Sequence, residues 1–66
     1  QISLSSTRFN GRQARALYDF IPETDYEMTM NAGQSVWIQY RQCDGWLMAE
    51  IGDETGLVPE SYIEFI

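Results

Sequence analysis

The sequence predicts an all-β chain. Apolar residues alternate with polar ones in short segments, turn signals separate those segments at close spacing, and no stretch carries a helical period. With 66 residues there is room for one domain and a small core. Several short strands of this kind suggest a small antiparallel barrel or sandwich.

Residues 1 to 12, QISLSSTRFNGR, are polar and serine-rich and are expected to form a leader or linker. Ile2 and Leu4 alternate with serines, which leaves open a short extra strand packed on the domain. From residue 13 the signals are β. EMTM at 27 to 30 places Met28 and Met30 on one face and Thr29 on the other, as in a half-buried strand. NAGQ at 31 to 34 is a turn, with Gly33 available for positive φ. In SVWIQY at 35 to 40, Val36, Ile38 and Tyr40 share one face and Trp37 points the other way. QCDG at 42 to 45 is a loop containing the turn dipeptide Asp44-Gly45.

WLMAEI at 46 to 51 puts Leu47, Ala49 and Ile51 on one face and Trp46, Met48 and Glu50 on the other. GDETG at 52 to 56 is a tight hairpin loop. Leu57 and Val58 begin a last short strand that Pro59 interrupts, and ESY at 60 to 62 makes one helical turn before IEFI. The expected core is Ala14, Ala16, Met28, Met30, Val36, Ile38, Ala49, Val58 and Ile63.

Composition narrows the function. The 44% hydrophobic fraction and the mixed 21% of charged residues are those of a folding chain. A net charge of -6 opposes binding to nucleic acid or to an anionic membrane, whose phosphates require a basic surface. There is no histidine, no nucleophile–base pair and no Gly-rich phosphate loop, so an enzyme is not expected. Cys43 is the single cysteine; a small domain without disulfides fits a reducing, intracellular setting, and no apolar run is long enough to span a bilayer as a helix. The chain opens on Gln1 rather than methionine, as expected of a segment of a longer protein.

The aromatic residues and the acids suggest a binding surface. If Leu47, Ala49 and Ile51 face inward, Trp46 faces outward beside the 42 to 45 loop. Tyr18 and Phe20 in ALYDF precede an acidic loop, and Tyr62 follows Pro59. Buried tyrosine hydroxyls need partners, so a small core seldom collects tyrosines, whereas a groove uses Tyr and Trp as rigid walls with a polar rim. Apolar ridges beside carboxylates suit a ligand that is apolar and carries a cation.

These residues resemble an SH3 domain over residues 13 to 66. ALYDF stands where that family's ALYDY-type motif stands, and YEMTMNAGQ is similar to the end of its RT loop, the next strand and the diverging turn. DGW resembles the end of the n-Src loop, and GLVPESYI the closing strand with its proline and short 3-10 turn. The resemblance implies a five-stranded antiparallel barrel with RT, n-Src and distal loops. It further implies an adaptor or scaffold module for signalling or the cytoskeleton, which binds proline-rich PxxP-type peptides in the polyproline II conformation. No metal or cofactor is implied, nor is direct membrane contact. The implied setting is cytoplasmic, at actin or membrane-associated complexes, as a monomeric domain of a multidomain protein.

Matched by motif, Tyr18 and Tyr62 wall one ligand pocket, and Phe20, Trp46, Pro59 and Tyr62 shape the second. Trp46 also walls a specificity pocket with the acids. Glu27 falls on the family's main ligand-binding acid, Asp25 lies two residues earlier, and Asp44 lies across the groove. An Arg or Lys of the ligand is the implied anchor. The chain departs from the family at Phe20, which lacks the hydroxyl of the motif's second tyrosine. Leu57 stands where some members have a groove tyrosine, and Ser61 where Asn is common. Alternatives on the same groove are a folded partner such as ubiquitin, against which Tyr62 argues, a non-PxxP motif, or an intramolecular regulatory contact. A methyl-lysine cage would need three rings converging on one point.

Overall fold

A computed structural model describes residues 11–66. It is all-β: β1 (Arg12–Ala16), β2 (Ser35–Cys43), β3 (Trp46–Ile51), β4 (Glu54–Pro59) and β5 (Ile63–Phe65). A 3-10 turn at Glu60–Tyr62 joins the last two strands. The five strands form one antiparallel sheet in the order β4-β3-β2-β1-β5. Residues 1–10 of the expected leader, with the extra strand considered around Ile2 and Leu4, lie outside the described residues.

Alternation places the core. Ala14 and Ala16 of β1, Val36 and Ile38 of β2, Leu47 and Ala49 of β3, and Val58 of β4 are buried, with Met28, Met30 and Ile63 closing the ends. Every residue of the expected core is buried, and Leu47 joins it. Ile51 is only half-buried, because β3 ends there at the Gly52-Asp53 turn. Two methionines and three alanines fill this interior, so long flexible side chains take up space the small ones leave.

Three local expectations are corrected. EMTM does not join a strand ladder. Met30 exchanges both backbone bonds with Phe20 (2.9 and 3.1 Å), while Met28 N–H donates to Leu57 at 3.0 Å. The segment therefore changes partner between one inward residue and the next, and each pairing is an isolated bridge. The loops expected at 42 to 45 and 52 to 56 shrink to the turns Asp44-Gly45 and Gly52-Asp53, because β2 runs on to Cys43 and β4 starts at Glu54. Tyr40 leaves the Val36/Ile38 face: a register shift between Ile38 and Tyr40 sets it opposite Met48, on the outer face of β3. Trp37 does point outward, at 43% exposure, and its indole lies against Gly11, where a Cβ would come within 2.5 Å of the ring.

Candidate functional site

The path of the chain gathers the aromatic rings. After β1, Leu17 N–H donates to the Tyr62 carbonyl at 2.7 Å, which draws Tyr18 over the 3-10 turn. Tyr18 and Tyr62 meet edge-to-face at 5.2 Å. Tyr62 meets Phe20 in the same way at 5.8 Å, and Phe20 meets Trp46 at 6.1 Å. These separations and angles are those that ring quadrupoles favour. The four rings thus form a continuous row with Tyr18 at one end and Trp46 at the other. Tyr18 is 56% exposed, while Phe20, Trp46 and Tyr62 are half-buried, with Phe20 and Tyr62 resting on the core, so the row lies at the surface over the core.

Trp46 opens β3 directly opposite Pro59, the last residue of β4. Leu57, two residues back along β4, is half-buried opposite Met48. Ser61 is exposed on the 3-10 turn. The structure therefore brings Tyr18, Phe20, Trp46, Pro59 and Tyr62 together through rings and register, with Leu57 and Ser61 on the neighbouring positions of the same elements.

The loop from Ile21 to Thr29 carries the acids. Its return arm is fixed to β4 by Leu57 N–H to the Tyr26 carbonyl (2.8 Å) and Met28 N–H to the Leu57 carbonyl (3.0 Å). Glu27 is thereby held beside Leu57, as one partner of a parallel bridge. Its carboxylate also braces the loop: Oε1 accepts from Glu23 N–H at 2.8 Å and Oε2 from the Thr24 hydroxyl at 3.1 Å. The Thr24 hydroxyl in turn accepts from Tyr26 N–H at 3.2 Å. Each carboxylate oxygen keeps a further lone pair for an incoming donor. Asp25 is exposed in the same loop, and Asp44 is exposed in the β2–β3 turn.

Three structural roles were not anticipated. Asp19 Oδ1 accepts from Ala32 N–H at 2.7 Å, which ties the start of the acidic loop to the turn that precedes β2. Gly56 lets the Glu27–Met28 backbone lie directly on β4. Glu60 receives both Nε (3.0 Å) and a terminal nitrogen of Arg41, and its own N–H donates to the Gly45 carbonyl at 2.8 Å. The bond from Arg41, helped by its charge and by Gly45 N–H, holds the Glu60 carboxyl below its ordinary value, while the same pairing raises Arg41. The other described arginines are also engaged: Arg15 with Glu64 at 3.3 Å, and Arg12 over the Phe65 ring at 4.6 Å.

The family model for the variant SH3 domain matches residues 16–64. The chain belongs to the SH3 family. Among curated relatives, NAP1-binding protein 2 of Saccharomyces cerevisiae is 43% identical over 98% of this chain, which spans 28% of that protein. Among solved structures, a yeast Nbp2p SH3 domain in complex with a peptide from Ste20p superposes with a TM-score of 0.81 at 46% identity, covering 85% of this chain and 87% of that one. An Acanthamoeba myosin I SH3 domain bound to Acan125 superposes at 0.77 with 31% identity, covering 86% and 98%. SH3 domains are protein-interaction modules, and the five-stranded antiparallel sheet and 3-10 turn described above match theirs.

Proposed function

We propose that this SH3 domain binds a proline-rich peptide segment of another protein, anchored by an Arg or Lys. The row Tyr18–Tyr62–Phe20–Trp46 carries the reading, because four rings in contact lie at the surface, none of them fully buried. A polyproline II peptide arrives already extended, so little ordering entropy is lost when its proline ridges dock between rings. Tyr18 and Tyr62 bound the first groove. Phe20, Trp46, Pro59 and Tyr62 bound the second, with Leu57 and Ser61 at its margin. Asp25, Glu27 and Asp44 attract the cationic anchor, whose guanidinium pairs with Glu27 and stacks on Trp46.

The matched yeast domain in complex with a peptide from Ste20p, and the Acanthamoeba domain bound to Acan125, support this reading. The myosin relative also supports a setting at actin-associated complexes. Affinity should be about micromolar, or about -8 kcal/mol. Calorimetry with an Arg-containing PxxP peptide, and with the same peptide carrying Ala for both prolines, tests the proposal. Binding of the first and loss of the second is expected; equal affinity for both would exclude proline recognition.

A further inference from the structure

At the Trp46 end of the row of rings, the β2–β3 turn and the 3-10 turn are joined through one residue, Glu60. Its backbone N–H donates to the Gly45 carbonyl at 2.8 Å. Its carboxylate takes Arg41 in a two-point contact. The pair is about 30% exposed on both sides (29% and 31%), so its charges are not lost in bulk solvent. Gly45 immediately precedes Trp46, and Glu60 lies between Pro59, the register partner of Trp46, and the Ser61-Tyr62 wall. Asp44, in the same turn, acts on Arg41 by its charge.

Among the described residues, three charges therefore share this corner. Arg41 alone would cancel Asp44 and leave the hairpin wall neutral. With Glu60 added, the corner keeps a net negative charge. We infer that the Arg41–Glu60 pair is a specificity determinant: Glu60 is the counter-charge that stops Arg41 from repelling a cationic ligand residue seated beside Trp46. The inference rests on the proposed recognition of a basic proline-rich peptide and assigns a role to two residues outside the ring row and the acidic loop. Glu60 and Arg41 are positioning and field-setting residues, and neither needs to touch the ligand.

The two single-charge changes have opposite signs, which separates this role from a merely structural one. Glu60→Gln keeps the shape and leaves Arg41 without that carboxylate. It should weaken an Arg-anchored PxxP peptide by about three- to fivefold, the size of a partly screened charge contact. Arg41→Gln removes the cation and should tighten the same peptide by a similar factor. A matched peptide with norleucine in place of the anchor Arg should bind both variants like wild type. The Arg-peptide differences should shrink together as salt is raised. Calorimetry at low and high salt reads all of this. If both variants weaken both peptides alike, the pair is only a structural clasp and the inference falls. If neither variant alters the Arg-peptide affinity, it falls as well. A wild-type domain that binds neither peptide would instead overturn the recognition proposal on which the inference stands.

Discussion

Gly56→Ala should detach the acidic arm from the barrel. Gly56 is buried in β4 opposite Ala49, and its φ lies outside the left-handed region, so any cost of a side chain is steric. A Cβ there would lie 2.7 Å from Met28 Cβ, 3.2 Å from Met28 N and 3.3 Å from the Glu27 carbonyl carbon. Ordinary contact begins at 3.4 Å, so the closest overlap is about 0.7 Å (3.4 minus 2.7). Rotation of a side chain cannot relieve it, because a Cβ moves only with its backbone. That backbone is held on either side of Leu57 by bonds of 2.8 and 3.0 Å. Alanine restricts the unfolded chain, a gain of about 0.4–1 kcal/mol. Overpacking a tight site costs about 1–3 kcal/mol, so the steric term should win. Net destabilisation of about 1–2 kcal/mol is expected in urea unfolding followed by tryptophan fluorescence. Amide shifts should concentrate at Tyr26, Glu27 and Met28. Gly33→Ala is the contrast: it meets open space but carries φ +86°, so it should lose stability through backbone strain alone and leave those amides unmoved. A neutral or stabilising Gly56→Ala, with the 26–28 amides unchanged, would refute the steric account of how the arm is seated.

Ile38 is fully buried at the middle of β2, and Ile38→Ala should cost about 2–5 kcal/mol in the same urea assay; a loss below about 1 kcal/mol would contradict its place in the core. Glu60 has a folded-state pKa below its ordinary 4.5, so its pairing stabilises the domain above that value and the contribution is lost as pH falls through the lower folded value. Glu60→Gln should therefore flatten the acid limb of a stability-against-pH curve, and an unchanged limb would contradict the assignment. Affinity for a basic peptide should fall as salt rises, because the acidic loop is exposed and its attraction is screened. Affinity independent of salt would remove the carboxylates from recognition.

Much of the fold was legible because burial in a two-faced strand forces alternation. Val36 and Ile38, or Leu47 and Ala49, announce their shared face directly. The strand ends were less so. Asp44-Gly45 and Gly52-Asp53 are strong local turn signals, but nothing local says that Cys43 or Glu54 still pairs, since that depends on the partner strand. Tyr40 departs from the face its alternation predicts because a bulge breaks the period of two without marking the sequence. EMTM kept its inward methionines but lost its ladder, since its two partners are Phe20 and Leu57, distant in sequence from each other. In the candidate site, the rings could be picked out as an excess of Tyr and Trp over what a small core needs. Arg41 and Glu60 could not: they lie 19 residues apart, and only the closing of the 3-10 turn onto Gly45 brings them together. Gly56 reads in the sequence as the end of the GDETG loop, and its role appears only when the arm lies across it.

The most direct measurement is an amide and indole NMR titration of the domain with an Arg-containing PxxP peptide, alongside an Asp25→Lys variant. Asp25 is the better acid to reverse, because Glu27 also braces its own loop. The wild type should show shifts at the Trp46 indole, Tyr18, Tyr62 and residues 23 to 27, with Trp37, Gln13 and Glu50 on the outer face of the sheet unmoved. The same shifts should need a higher peptide concentration in the variant. Shifts centred on Trp37 and its strand neighbours, with the row of rings silent, would contradict the account.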